Sequence, residues 1–463
     1  MKNQLSFRKK GLNILIVGCG KVGAALVEQL VKEKHDVTII DKNPDKIRNF
    51  TNMYDIMGVA GNGASFSVQR EAGIDNADLL IAVTGSDELN LLCCTIAKQS
   101  ANCAAIARVR TPDYSAEINY LREQLGLAMI INPDLEVAKE ITRILCVPTA
   151  LEVNSFAHEQ AELIKIQIPQ GNYLDGKSIA AISKNINAKF LICVIENEGS
   201  ISIPSGGTIL HSGDKISIIA TRPEVIKIFK QIGFTTHQVK NTMIIGGGKT
   251  AYYLAYLLTG MGISVKMIEQ NKSRCEELSI LLPKATIING DGTNEDLLKE
   301  EGIETCESLI PLTGLDEKNA FLTLYAKQVS NAKVITKINR STLSSVIHSF
   351  DLGSVMYPRY ITTEAIIAYV RAKQNSAGSN IETLYHMFDS QVEAIEFHIQ
   401  NSSSITNLPL KDLSLKDNLL IACISRNGKL IFPSGQDTIK TGDSVMIVTT
   451  NTGFYDIQDI LKG

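Results

Sequence analysis

The chain has 463 residues, 44% hydrophobic and 21% charged, which at roughly 100–200 residues per domain calls for three or four domains, not one core. A net charge of −3 excludes the electrostatic footprint of a non-specific nucleic-acid binder. No apolar run reaches the ~20 residues that cross a bilayer, no apolar signal segment follows the basic N-terminus, and nine scattered cysteines without a C-x-x-C pair build neither a disulfide framework nor a metal site. The expected setting is therefore the cytoplasm, with reduced, buried thiols. The one basic cluster, Arg8-Lys9-Lys10, reads as a solvated arm.

In chain order, short apolar runs predict strands at Asn13–Val17, Asp36–Ile40, Asp55–Val59, Asp78–Val83, Ala104–Val109 and Ala128–Ile131. Between and after them the pattern predicts helices at Val22–Glu33, Pro44–Asn52, Ser65–Ala72, Glu88–Gln99, Tyr114–Leu125 and Leu135–Leu145. The strands are continuously apolar, as in LLIAV at Leu79–Val83, which suits parallel strands buried on both faces. Alternating β and α with short loops is the doubly wound α/β pattern.

From Glu152 to about Ile232 the text turns strand-rich (AELIKIQI, KFLICVIE, HSGDKISIIA), with short helices expected at Ser178–Ile182 and Pro223–Gln231. Asn197-Glu198-Gly199 and, later, Arg426-Asn427-Gly428 read as hairpin turns. Linkers are expected near Pro148–Thr149 and at Gln374–Asn380.

The whole plan is then repeated. Gly18 and Gly246 begin matching glycine loops at an offset of 228, shared by Asp41 and Glu269. Thr84-Gly85-x-Asp87-Glu88-x-Asn90 meets Thr313-Gly314-x-Asp316-Glu317-x-Asn319 at 229, as Pro204-Ser205-Gly206 meets Pro433-Ser434-Gly435. One offset held over two hundred residues means tandem duplication. The predicted fold class is α/β: two Rossmann domains with parallel sheets, 11–134 and 239–360, each followed by a small α+β domain, 152–236 and 377–463.

Gly18-x-Gly20-x-x-Gly23 follows the first strand and opens a helix, and Asp41 ends the second strand. In that context the motif is a dinucleotide fingerprint. Gly18 permits the turn, Gly20 lets backbone N–H groups approach a pyrophosphate, and Gly23 permits close helix–strand packing. The loop residues Cys19, Lys21 and Val22 present their backbone at the helix N-terminus, where partial positive charge gathers. Asp41 would accept from ribose hydroxyls and repel a 2′-phosphate, which favours NAD(H) over NADP(H); ATP and ADP fit the same cradle. Asn62, after the third strand, is placed to meet a base, and Thr84 lies on the ligand edge. Arg108, ending the fifth strand, is placed to pair with phosphate. Asp87 is expected to N-cap its helix; Asn90 has no clear role.

The second copy, Gly246-x-Gly248-x-x-Ala251 with Glu269, Asp291 and Lys337, reads equally as a second nucleotide site or a retained scaffold. No catalytic constellation and no metal-ligand spacing is visible. An NAD-dependent oxidoreductase on duplicated Rossmann domains stays open on the residues alone.

The strings REAGIDNADLLIAVTGSDELN, ARVRTPDY and PSGGTILHSGDKISIIA resemble the domains that regulate potassium conductance (RCK, or KTN). Two Rossmann-plus-small units in one chain are similar to the TrkA family, peripheral regulatory subunits of bacterial Trk potassium uptake. The resemblance implies no catalytic turnover. It implies binding of NAD(H) and of adenine nucleotides such as ATP or ADP, with contacts at Gly18, Gly20, Gly23, Asp41, Asn62, Thr84 and Arg108. It also implies a membrane-embedded potassium transporter of the Trk/Ktr type as partner, peripheral attachment on the inner face of the cell membrane, and a homotetramer whose eight Rossmann units form a ring gating that transporter. Regulation of another cation channel or of an antiporter is the neighbouring reading.

Overall fold

A computed structural model describes residues 11–101, 103–157, 160–339, 350–374, 379–388 and 391–462. The basic cluster Arg8-Lys9-Lys10 and residues 375–378 of the expected linker lie outside them. Six strands build the first sheet: β1 (Asn13–Val17), β2 (Asp36–Asp41), β3 (Met57–Ala60), β4 (Leu79–Ala82), β5 (Ala104–Arg108) and β6 (Met129–Ile131). All its pairings are parallel, in the order β3-β2-β1-β4-β5-β6. That is the doubly wound order, with the switch point between β1 and β4. The central strand β4 is buried at every residue, which explains why LLIA shows no alternation.

Helices α1 (Lys21–Lys32), α2 (Pro44–Met53), α3 (Phe66–Glu71) and α4 (Asp87–Ser100) connect these strands. Two expectations are corrected here. The helix expected over Tyr114–Leu125 is two short ones, Pro112–Ala116 and Ile118–Gln124, broken at Glu117 with φ −112° and ψ 21°. Asp87 is not the cap of α4: Ser86 is, its hydroxyl accepting from the Leu89 N–H at 3.1 Å.

A five-stranded antiparallel sheet follows: β7 (Glu152–Phe156), β8 (Ala161–Gln167), β9 (Phe190–Asn197), β10 (Ser200–Ser202) and β11 (Lys215–Ala220), ordered β10-β9-β11-β8-β7. The β9–β10 turn carries Glu198 at φ 47° and Gly199 at φ 82°, the left-handed pair that a two-residue hairpin requires. The second half repeats both sheets. Its parallel sheet comprises β12 (Asn241–Ile245), β13 (Ser264–Glu269), β14 (Thr286–Asn289), β15 (Ser308–Pro311), β16 (Lys333–Lys337) and β17 (Ser354–Met356), ordered β14-β13-β12-β15-β16-β17. Its antiparallel sheet comprises β18 (Ser379–Met387), β19 (Val392–Ile399), β20 (Leu419–Arg426), β21 (Lys429–Ile431) and β22 (Ser444–Thr449), ordered β18-β19-β22-β20-β21.

Packing is not strictly serial. Residues 11–136 form one compact unit together with Arg359–Val370, and the rest of the chain forms the other. Within that second unit the two small sheets share one core. Phe156, Ala161, Leu163, Cys193 and Ile219 from the first pack with Met387, Val392, Ala394, Cys423 and Val448 from the second. Eight of the nine cysteines are buried and Cys306 is half-buried.

The long helix Pro358–Gln374 is tied to the last sheet near its C-terminus. The Arg371 guanidinium bonds both Glu393 oxygens, Nη1 to Oε2 at 3.1 Å and Nη2 to Oε1 at 3.0 Å, with both side chains 1% exposed. Burial alone would raise the Glu393 carboxyl, but the His386 bond and the Arg371 charge outweigh it and hold it at about 2. Because that value lies below the ordinary carboxylate range, the pair stabilises the fold above about pH 4.5, and the contribution is lost as pH falls toward 2. Urea unfolding across a pH series should show this loss. Glu393→Gln should flatten that window and lower stability at neutral pH by roughly 3–5 kcal/mol, since it strands a buried guanidinium.

Candidate functional site

A cavity of about 440 Å³ opens at the C-terminal edge of the first parallel sheet, beside the paired strands β1 and β4. Its lining includes Gly18, Gly20, Asp41, Thr84, Gly85 and Arg108. Open α/β sheets bind ligands at such a switch point because two helices leave it in opposite directions.

The glycine loop forms its floor. Gly18 has φ +106°, and a Cβ there would meet the Thr84 backbone nitrogen at 3.0 Å. A Cβ on Gly23 would lie 2.0 Å from the Gly18 carbonyl oxygen. These two glycines are demanded by the fold itself. Gly20 is different: its φ of −84° and ψ of −170° suit any residue, and a Cβ there would meet nothing within 4 Å. Gly20 keeps the mouth of the cavity clear and leaves the N-terminus of α1 without a side-chain cap, its donors and dipole facing outward. Lys21 and Val22 begin that helix; Cys19 acts through its backbone. The Cys19 thiol is buried, and desolvation with the nearby Asp41 charge pushes it up to about 12.

Asp41 holds the loop from the end of β2. Its Oδ2 accepts from the Cys19 N–H at 2.7 Å and its Oδ1 from the Asn43 N–H at 2.9 Å. Lys46 Nζ lies 4.0 Å from the same carboxylate. Lys42 and Lys46 both line the cavity. Sequence reading passed over them, although a lysine directly after Asp41 was a visible signal.

Opposite, the Arg108 guanidinium donates through Nη2 to the Thr84 carbonyl oxygen. Its Nε is buried with no hydrogen-bond partner. Desolvation, with the neighbouring Arg110 charge adding to it, lowers the guanidinium to about 10, so it stays cationic at neutral pH. A half-satisfied, half-buried cation facing a glycine loop fits the phosphates of a dinucleotide. The acidic end of β2 fits its ribose.

Asn90, unassigned from sequence, organises this edge. Fully buried, its Oδ1 accepts from the Thr84 N–H at 2.8 Å and the Thr84 hydroxyl at 2.7 Å, while its Nδ2 donates to the Arg108 carbonyl at 2.8 Å. Asp87 fastens the segment beyond β5, its Oδ2 accepting from the N–H groups of Arg110 and Thr111 and the Thr111 hydroxyl at 2.7–2.9 Å. Asn62 lies at the start of the turn before α3; its Oδ1 accepts from the Ala64 N–H at 3.3 Å.

The second glycine loop repeats the frame. Gly246 has φ +103°, and a Cβ on Gly248 would meet nothing within 4 Å. Glu269 accepts from the Gly247 and Asn271 N–H groups, both at 2.7 Å. Asn319 reproduces Asn90, bonding the Thr313 N–H and hydroxyl and the Lys337 carbonyl. Two features differ. Lys337 Nζ donates to the Leu312 carbonyl at 3.1 Å, and the Arg274 guanidinium crosses to the Gly247 carbonyl at 2.8 Å. Asp291 caps its own turn through Thr293, whose bonds hold its carboxyl below the usual range.

Residues 14–133 and 242–358 match the TrkA-N domain, and residues 163–233 and 394–462 the TrkA-C domain. The chain belongs to the TrkA family. It is 30% identical over 440 residues to the Trk system potassium uptake protein TrkA of Haemophilus influenzae, covering 94% of this chain and 95% of that protein. It is 31% identical over 451 residues to the TrkA homolog of Archaeoglobus fulgidus, covering 97% and 100%. Among solved structures, the GsuK channel bound to NAD aligns with a TM-score of 0.62 at 16% identity, covering 96% of this chain and 78% of that one. The GsuK RCK domain aligns at 0.63 and 16%, covering 96% and 93%; both show a shared fold. Among the described residues no helix is long and apolar enough to cross a membrane, and no group of three His, Cys, Asp or Glu side chains could hold a metal ion.

Two substitutions in the TrkA-N glycine loop should separate fold from cavity. Gly20→Val should leave the melting midpoint unchanged. Gly23→Ala should lower stability by roughly 1–3 kcal/mol, since backbone must move to admit the methyl. Asn90→Ala should cost about 1–3 kcal/mol for its stranded buried partners. Thermal and urea unfolding of the three variants checks all of this.

Proposed function

We propose that this chain is a non-enzymatic regulatory subunit of a Trk-type potassium uptake system, peripheral on the cytoplasmic face of the membrane, and that NAD(H) is its ligand. The observation that carries the reading is the cavity between the Gly20 loop and the half-satisfied Arg108 guanidinium. Gly18, Gly20 and Gly23 with the backbones of Cys19, Lys21 and Val22 would face the pyrophosphate, Asp41 the ribose, Thr84 and Arg108 a phosphate, and Asn62 the base side. ATP and ADP share the phosphate and ribose groups that these residues recognise. Membership of the TrkA family supports the potassium transporter as partner, and a tetramer of tandem chains as the working form. In the second unit, Gly246, Gly248, Glu269 and Asp291 form the corresponding set.

Regulation then follows from linkage. A nucleotide shifts the assembly only by its differential affinity for two packing states. Exchange of one ligand for another at a shared cradle supplies that difference.

Calorimetric titration with NADH, NAD, ATP and ADP tests the reading. Saturable binding to the parent is expected, with loss in Gly20→Val and weakening of about tenfold or more in Arg108→Met, one charge-assisted bond being worth roughly 1.5–3 kcal/mol. A stoichiometry of one or two per chain reports whether the second cradle is live. Absence of binding by all four would overturn the nucleotide reading. Co-purification with a potassium-transporting membrane protein, against another cation channel or an antiporter, tests the partner.

A further inference from the structure

The shared core of the two small sheets is a pseudo-symmetric interface. Phe156 corresponds to Met387, Ala161 to Val392 and Leu163 to Ala394, each at an offset of 231, and all six lie in one cluster. Apolar positions of this kind would let either sheet pair with a copy of itself. Among the positions where the repeat departs from this likeness in kind, three bear on the charges at the interface: Glu152, Ala157 and Lys165 stand in the first sheet where Thr383, Phe388 and Glu396 stand in the second. The local frame is otherwise the same. Glu152 faces Lys165 across β7 and β8 as Thr383 faces Glu396 across β18 and β19. Ala157 and Phe388 hold the same left-handed turn at φ 52° and 51°.

The three differences complement one another across the interface. Glu396, 2% exposed, accepts the Ala157 N–H through Oε1 at 2.8 Å and the Thr383 hydroxyl through Oε2 at 3.0 Å. At the pseudo-equivalent place, the Lys165 ammonium, 8% exposed, stands 3.8 Å from the centroid of the Phe388 ring and 3.1 Å from Glu152 Oε1. One side offers an anion to a bare backbone donor. The other offers a cation to an aromatic face, an attraction that grows when both are desolvated.

We propose that these residues are a pairing code: the first small module accepts the second and rejects a copy of itself. A pair of first modules would set Lys165 against the Ala157 N–H, donor against donor, with no ring to cover the ammonium. A pair of second modules would offer Glu396 the Phe388 N–H in place of that of Ala157, but would bring a phenyl ring, and its negative face, to the carboxylate where Ala157 presents only a methyl. Lys165 would keep Glu152 at 3.1 Å and Glu396 the Thr383 hydroxyl, both from their own modules, but each wrong pairing loses the contact across the interface and sets a buried charge against an unfavourable neighbour. The occupant of this face is thus a second module, supplied here by the same chain, and duplicated chains cannot cross-link through like modules.

A substitution cycle in the full-length chain tests the code. Glu396→Lys and Ala157→Phe should each lower the melting midpoint by about 5 °C or more and reduce amide-exchange protection in β8 and β19. The double variant gives the Ala157 side the cation-and-ring arrangement that Lys165 and Phe388 already make, and should recover most of the loss. A milder cycle, Lys165→Met with Phe388→Leu, should show coupling as well. Additive losses in both cycles, or a double variant no better than its worse parent, would overturn the proposal. So would failure of the double variant to fold.

Discussion

A carboxylate at the end of the second strand holds the first glycine loop to the sheet. Asp41 accepts from the Cys19 N–H at 2.7 Å and the Asn43 N–H at 2.9 Å, so the β1–α1 turn and the start of α2 hang from one side chain. The uncapped N-terminus of α1 gains a fixed direction, and the cavity gains a rigid floor. Glu269 makes the same pair of bonds one repeat later. With one more methylene it reaches Gly247, the residue next in line to Gly246, as Asp41 reaches Cys19. Both carboxylates carry out the same two geometric tasks, and the added methylene of Glu269 is taken up without losing either bond.

The edge opposite is organised by amides instead of charges. Asn90 and Asn319 each tie a threonine after the fourth strand to the last carbonyl of the fifth. What differs between the repeats is the cation placed on that scaffold. Arg108 keeps a buried Nε without a partner, whereas Lys337 gives its ammonium to the Leu312 carbonyl. Arg274 meanwhile crosses to the second loop at Gly247. The first cradle leaves one cationic side chain half-satisfied; in the second, cationic side chains brace the loop and its strand. The two halves share a fold and diverge in electrostatics, since the ammonium of a lysine is a point charge where an arginine presents a planar fork.

The same divergence reaches the small sheets, where it bears on assembly. Two copies of one fold expose faces that recognise each other and themselves. Apolar matching alone does not discriminate, because it is non-directional. Charge and ring positions do, because a misplaced buried ion has nowhere to go.

Much of this was legible in the amino-acid sequence. The doubly wound order followed from unalternating strands such as LLIA, because burial on both faces removes the polar half of the pattern. The duplication followed from a nearly constant offset, and the glycine loop from its place between strand and helix. Only the tertiary structure decided the rest. Asp87 looked like a cap but faces the segment beyond β5, because Ser86 one residue earlier was already positioned to cap and a carboxylate seeks the nearest unpaired donors. The Tyr114–Leu125 pattern could not reveal a break at Glu117, whose backbone angles answer to packing. The role of Asn90, the brace from Arg274 and the grouping of Arg359–Val370 with the first unit join residues far apart in the chain. Periodicity reports which face of an element is buried; it carries no record of what lies against that face.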